Sequence, residues 1–427
     1  MNPYNVLIVA PQFSPSSYPP AQRIRLFTNH LPAFEWKPIV LAVEPEFLEE
    51  EPDWEFAKLI SPDLEIIRTK ALSAKWTRKI GIGDMGIRSL WHQYKTAKKV
   101  CQKRKIDLLF ISGPPWHTFL VGPWIRRSFG IPYVLDYIDP WVSAMGENST
   151  PWEKVYWFRQ MAIALEPAVV RDAAHIISVS EGLNSGILSR YSFLKKENFT
   201  AIPYGAEKSD FDSVRQGPKT NRFFVPRDQL FHIVFVGAMM PKAYGTLRAL
   251  FNAMKKIEKD RPDLYRRIRF HFIGTTYAVN TNKELVNPVA REMGLSDIVH
   301  EYPQRVSYFE ARTLLIQANA ILAFGSSEIL YAASKIYPCI LANQTLLAIF
   351  HSNSNVADVV REANAGELIT YSTDQPVETK VEEIAAALKK ITQPGYVKSK
   401  TNWQAFEKYS ANNMAGKLAR VFDEIVQ

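Results

Sequence analysis

The chain has 427 residues, of which 47% are hydrophobic and 12% aromatic, with a formal net charge of +9. That length exceeds what one core normally fills, so two domains are expected, each with ample apolar material. Only two cysteines occur, Cys101 and Cys339, and they are far apart, which excludes a disulfide framework.

The opening MNPYNVLIVAPQF has neither a basic n-region nor a long apolar h-region, so no signal peptide is expected. No run approaches the about 18 apolar residues that a spanning helix needs. A soluble, cytoplasmic protein is the expectation.

In chain order, β-rich runs fall at residues 5–10, 38–43, 108–112, 133–136, 175–180 and 200–203. Helical periodicity fills 21–31, 90–103 and 117–129. Strands separated by crossovers of this length predict a parallel, doubly wound sheet. At Ile202-Pro203-Tyr204-Gly205 the rhythm stops, and the charged segment 206–224 reads as a linker. It then restarts, with strands at 232–237, 268–273, 298–302, 320–324 and 345–350. The helices between them are 244–257, 288–293, 307–317 and 334–342, and 403–426 reads as one long amphipathic helix. The sequence therefore predicts an α/β protein of two Rossmann-like halves. Ligands of such sheets bind outside the carboxyl ends of the strands.

Charge is unevenly spread. Between Lys70 and Lys105 eleven Lys/Arg face a single acid, Asp84, and Trp76, Ile80, Trp91 and Tyr94 are threaded among them. A stretch of this kind lies well on an anionic bilayer, each basic group adding roughly 1 kcal/mol. The competing reading is a solvated helix with its aromatics turned to the core. No zinc, helix-turn-helix or RNP-type pattern accompanies the charge, so nucleic acid is not an expected partner.

Six fragments in order carry a resemblance: FSPSSYPPAQRIRLFTNHL, ISGPPWHTFLVGPWIRRSFGIPYVLDYIDPW, HIISVSEGL, IPYGAEKSDF, IVFVGAMMPKAYGTLRAL and SKIYPCILANQTLLAI. Together they resemble GT-B glycosyltransferases of family 4, in the subgroup that pairs a GPP loop with a DPW ending. The resemblance implies two Rossmann-like domains facing each other. The acceptor side would be 1–205, the nucleotide-sugar side 206–400, and 401–427 a helix crossing back onto the first domain. It implies sugar transfer from a nucleotide-sugar donor to a hydroxyl on a polysaccharide, lipid-linked glycan or metabolite. Retention is usual in the family, and neither a metal nor another cofactor is obligatory. The setting would be cytoplasmic, with peripheral contact to the inner membrane face through 70–105.

Asp136 and Asp139 stand where a strand empties toward the ligand. They are expected to face solvent and to orient the acceptor hydroxyl or the donor sugar, with general-base help; the plainer alternative is loop capping at Asp139-Pro140. Pro140 and Trp141 would fix and pack that loop. His117, at the end of the preceding strand, is expected across from Asp139, either binding a sugar hydroxyl or simply packed. In the first loop, relatives bring backbone N–H groups to the donor phosphates. Here Pro19 and Pro20 have none to give, leaving Ala21, Gln22 and Arg23. Arg23 and Arg25 are alternatively salt-bridge partners.

In the second half, the family's phosphate-clamping arginine falls at Ala238, while Lys242 stands in for its lysine. Lys335 is the strongest donor candidate, with Ser334 as the expected helix cap beside it. Arg305 is a further candidate for the donor. Relatives carry two carboxylates eight residues apart where this chain has Leu330 and Pro338, so a ribose would be held otherwise, by backbone or by Ser326 and Ser327. That departure keeps a second reading open: a catalytically weakened GT-B scaffold that partners another glycosyltransferase.

Overall fold

The apolar runs that punctuate the sequence become the strands of two all-parallel sheets in a computed structural model, which describes residues 3–143, 146–217, 221–276, 282–326 and 334–427. The chain divides into two units: residues 1–205 with 411–427, and residues 206–410.

The first unit holds β1 (Tyr4–Val9), β2 (Trp36–Val43), β3 (Glu65–Thr69), β4 (Leu108–Gly113), β5 (Tyr133–Tyr137), β6 (His175–Ser178) and β7 (Phe199–Ala201). Their order is β3-β2-β1-β4-β5-β6-β7. Between them run α1 (Pro19–His30), α2 (Trp54–Ala57), α3 (Ala74–Thr77), α4 (Met85–Lys103), α5 (Val121–Phe129), α6 (Lys154–Val170) and α7 (Glu181–Leu188). β4 and β5 are buried along their whole length, as central strands of a sheet covered on both faces must be. The chain moves outward from β1 to β3, then returns to lay β4 on the other side of β1. The topological switch lies between β1 and β4.

In the second unit, α8 (Lys208–Gln216) precedes β8 (Phe231–Val236), α9 (Tyr244–Asp260), α10 (Pro262–Tyr265), β9 (Ile268–Ile273), α11 (Asn287–Glu292) and β10 (Val299–Tyr302). Then come α12 (Tyr308–Gln317), β11 (Ala320–Phe324), α13 (Ile336–Leu341), β12 (Thr345–His351), α14 (Asn355–Glu362), β13 (Glu367–Tyr371), α15 (Val381–Ile391) and α16 (Trp403–Phe406). The strand order β10-β9-β8-β11-β12-β13 puts this sheet's switch between β8 and β11.

The segment read as a linker contains α8, whose Asp210 is buried and accepts the Tyr308 hydroxyl at 2.5 Å. The helix expected over 403–426 is broken: α16 ends early, Ser410 is extended and bridges to Ala206, and α17 (Ala411–Val426) begins anew. α17 returns to the first unit. There Trp36 packs edge-on against Phe422, with ring centroids 5.1 Å apart, and its indole N–H donates to Asp423 Oδ1 at 2.8 Å. Gly416 is bare because a Cβ there would come within 2.9 Å of the Phe34 ring.

Across one face of the second sheet runs a chain of polar rings. Asp228 Oδ1 lies 3.0 Å from His232 Nε2, and His232 Nδ1 lies 2.9 Å from His271 Nε2. His300 sits beside His271 in register on β10. Burial pushes His271 down to about 3, with the neighbouring histidines adding to it; burial alone pushes His175, in the other unit, down to about 4. These rings stay neutral when folded but take protons once released. Below the ordinary histidine value unfolding therefore absorbs protons, and stability is lost as pH falls. Urea unfolding at pH 7 and pH 5 should show a loss on the order of 2 kcal/mol from His271 alone, and His271→Leu should flatten that pH dependence.

Candidate active site

Open parallel sheets present their ligand sites where the loops leave the carboxyl ends of strands beside the switch. In the first unit these are the loops after β1, β4 and β5. The two aspartates of the β5 ending meet opposite fates. Asp136 is the fourth residue of β5, in register with Ser112 of β4 and Ile177 of β6, and is fully buried. Arg23, from the first turns of α1, grips it with Nε 3.1 and 3.0 Å from its two oxygens and Nη2 at 2.9 Å from Oδ1. Ser112 donates to the other side at 3.1 Å. The remaining arm of Arg23 donates to the Pro203 carbonyl at 3.0 Å, and its guanidinium lies over the rings of Phe27 and Tyr204. The expectation that Asp136 faces solvent is therefore corrected. It sits inside the strand, and its charge is met by Arg23, the salt-bridge alternative for that arginine.

Asp139 lies beyond the strand and is exposed. Its loop is pinned by Trp116, whose indole donates to the Asp139 carbonyl at 3.2 Å. Trp141, only 6% exposed, packs edge-on to His117 and Phe119. The Pro-Trp ending does fix the loop and leaves the Asp139 residue at the surface.

His117 is not open to a sugar. It sits in a 3-10 turn at Trp116–Leu120 and is buried. One ring nitrogen is 3.0 Å from Asp84, the N-cap of α4, and the other is 3.2 Å from the Met161 sulfur of α6. It ties α4 to α6, a role that a lone histidine in sequence could not reveal. The first loop is also closed. The Gln22 N–H already donates to the Tyr18 carbonyl at 3.0 Å, and its side chain to Ser17 at 2.7 Å. With prolines at the first two helical positions, the Ala21 N–H is what remains, on a residue whose side chain is buried.

In the second unit, Lys335 comes to the carboxyl end of β8. Its ammonium lies 4.1 Å from the Phe235 ring centroid and 3.4 Å from where a Cβ on Gly237 would sit. Among the described residues no carboxylate is within ion-pair distance of it, and desolvation lowers it to about 8. Gly237 has φ +134°, which a side chain would strain as well as crowd. Ser334 does not cap α13: it lies in a turn, Lys335 takes the cap position, and no side-chain cap bond forms. Lys242 is exposed on the 3-10 turn Pro241–Ala243 after β8. Arg305 is exposed after β10, its Cα 3.7 Å from a Cβ built on Gly274 at the end of β9. Lys335, Lys242 and Arg305 thus share the carboxyl edge of β8 to β10. Ser327 and Leu330 lie outside the described residues. Pro338 occupies the first turn of α13.

Sequence reasoning missed Glu301, buried on β10. It accepts the Thr275 hydroxyl at 2.5 Å and the N–H groups of Leu285, Val286 and Asn287 at 2.8 to 3.0 Å. Its partners are a threonine past the end of β9 and the backbone N–H groups that lead into α11, so no motif marks it. Arg88, counted with the basic stretch, is buried and paired with Glu49 at 3.0 Å.

The two aspartates differ in a measurable way. Asp136→Ala strands a buried guanidinium and should cost about 3–5 kcal/mol, read as a fall in the unfolding midpoint. Asp139→Asn should leave the unfolding curve within about 0.5 kcal/mol of wild type.

Residues 14–205 match the model of the Glycosyl transferase 4-like domain, ending where the chain first passes to the second unit. No curated protein matches the chain. Among solved structures it is similar to a glycosyltransferase from Rickettsia africae ESF-5, at 13% identity and TM-score 0.60 with all of both chains covered. It is also similar to Anabaena Alr3699/HepE in complex with UDP and glucose, at 12% identity and TM-score 0.60 over 99% of this chain and 100% of that one. The trehalose-6-phosphate synthase OtsA matches at 10% identity and TM-score 0.64 over 98% and 99%. At these identities the likeness establishes the fold. The match covers the first unit's residues 14–205, and the solved structures give the fold of the whole chain: two Rossmann-like units of the GT-B type.

Proposed function

We propose that the protein moves a sugar from a nucleotide-sugar donor to a hydroxyl acceptor on a polysaccharide, lipid-linked glycan or metabolite. The observation that carries this reading is the glycosyl transferase 4-like domain over residues 14–205. HepE solved with UDP and glucose supports the donor class. In our reading the donor's diphosphate is held by Lys335, with Lys242 and Arg305 as supporting cations, and no resident metal takes part. Asp139 orients the acceptor hydroxyl. The bond from the sugar's anomeric carbon to the diphosphate breaks as the bond to the acceptor oxygen forms. The acceptor proton passes to the leaving phosphate oxygen, so no strong enzyme base is needed and configuration is retained.

A second reading has its own support. Pro338 and Ala238 stand where the resemblance places a ribose carboxylate and a phosphate arginine, which favours a scaffold that binds donor without turning it over. We also place the protein in the cytoplasm, at the inner membrane face. The exposed Trp76, Ile80 and Trp91 of the basic stretch support that placement, and among the described residues no helix is long and apolar enough to cross a membrane.

Titration calorimetry with UDP-, GDP-, ADP- and dTDP-sugars should find at least one binder; silence across the panel with folded protein removes the glycosyl-transfer reading. Binding without turnover against any acceptor supports the scaffold. A desolvated lysine near 8 gains a proton when an anion arrives. Donor binding at pH 8.5 should therefore take up protons, seen as a buffer-dependent heat that shrinks by pH 6.5. Lys335→Met should abolish the uptake and weaken binding at least about tenfold, or roughly 1.4 kcal/mol. Asp139→Asn should leave donor affinity unchanged and lower kcat about 100-fold, and EDTA should change neither.

A further inference from the structure

We infer that one layer of the first unit is a two-part docking face for an anionic bilayer, with an apolar wedge on α6 beside the Asp139 loop and a cationic rim on α3 and α4. The acceptor would then be a hydroxyl presented at headgroup level on a lipid-linked molecule. This last step rests on the glycosyl-transfer reading; the docking face does not.

The wedge is the start of α6 and the turn before it. Trp152 is 95% exposed, Trp157 60% and Phe158 40%, with Ile163 further along the same helix. Such side chains are a burden on a solvated helix unless something covers them. They are held in place rather than left loose: the Trp157 indole donates to the Pro151 carbonyl at 2.9 Å, and Tyr156 packs edge-on to its ring.

The rim lies on α3 and α4, across α5 in the same layer. Trp76 and Ile80, 66% and 74% exposed, flank the start of α4, and Trp91 projects from it. Lys79 Nζ lies 4.4 Å over the Trp76 ring and Lys95 Nζ 4.9 Å over that of Trp91. Rim and wedge are joined through buried contacts. His117 touches Asp84 at the start of α4 and Met161 on α6, while Tyr94 of α4 packs edge-on to Trp124 of α5. Right-handed crossovers between parallel strands place α4, α5 and α6 in one layer, because β3 to β6 are crossed in one direction. Trp141 of the Asp139 loop packs on the same His117 ring that touches Met161 of α6.

The chemistry selects the occupant. Ammonium groups set over exposed indoles are suited to phosphate headgroups with rings at the same depth. A second copy of this chain would bring like charge against like charge. A nucleic-acid backbone offers nothing to the exposed rings of Trp152, Trp157 and Phe158, beside which Glu147 and Glu153 would repel its phosphates.

The test uses the full chain and vesicles of phosphatidylglycerol with phosphatidylcholine, against phosphatidylcholine alone. Sedimentation should show binding to the anionic vesicles at 50 mM salt, weakened at least tenfold at 300 mM. The double variant Trp157→Ala/Phe158→Ala should lose at least tenfold in vesicle affinity. So should Trp152→Glu, whose side chain is almost fully in solvent and whose fold is not at risk. Both should bind a nucleotide sugar as wild type does, which separates failure of the docking face from failure of the transferase reading. The inference is overturned if wild type does not pellet, or if the wedge variants pellet undiminished. It is overturned equally if sedimentation velocity finds a dimer that these variants break, or if duplex DNA displaces the protein from vesicles and binds the variants as tightly.

Discussion

A carboxylate and a guanidinium, both withdrawn from water, hold the carboxyl edge of the first sheet together. Removing two charges from solvent costs several kcal/mol each, and their attraction offsets this only where the geometry is good and the remaining donors are satisfied. Here it is good. Arg23 meets both oxygens of Asp136, Ser112 supplies another donor, and the free arm of the guanidinium reaches the Pro203 carbonyl. One ion pair therefore ties α1, β4, β5 and the loop after β7 to a single point. The Asp139 loop leaves from that fixed base, and Trp141 and Trp116 complete its anchoring. Two acids three residues apart thus do different work. The inner one sets the position from which the outer one is displayed.

The second unit handles its cation the other way. Lys335 is also taken partly out of water, yet it meets an aromatic ring instead of a carboxylate. An ammonium in that position has lost hydration without gaining a counter-charge among the described residues, and its lowered proton affinity reflects that loss. Any anion that arrives restores the deficit, so the site favours a charged ligand before one is bound. Gly237, bare and in a backbone conformation that side chains avoid, leaves the room this arrangement needs. Arg23 is a cation answered by a carboxylate, whereas Lys335 meets no carboxylate among the described residues.

The alternation of strands and helices was legible because central parallel strands are apolar throughout, and 108–112 or 320–324 cannot be mistaken for surface. The elements that escaped are those lacking this signature. β3 (EIIRT) and β13 (ELITY) are short edge strands with half-buried, mixed side chains. α6 is apolar on nearly every side and carries Pro167 within it, so it shows no helical stripe. The fate of Asp136 was hidden for a different reason. Its partner lies 113 positions away in sequence, and nothing local distinguishes an acid that turns inward at the end of a strand from one that turns outward just past it. His117 is a similar case, since its two contacts come from α4 and α6 and neither leaves a trace around the GPP loop.

The same long-range logic explains why charge and apolar surface meet on one side of the first unit. Segments 74–91 and 152–163 are separated by two strands and a helix, and neither carries a pattern that points to the other. The handedness of parallel crossovers brings them together: every step from β3 toward β6 must pass over the same face of the sheet. A basic stretch that was conspicuous in sequence is thereby placed in the same layer as an aromatic segment that was not, with α5 between them. His117, which touches α4 and α6, also packs against Trp141 of the loop that displays Asp139, so one buried ring links the layer to the strand ends. That link is a consequence of topology, since the residues it joins lie on three separate elements.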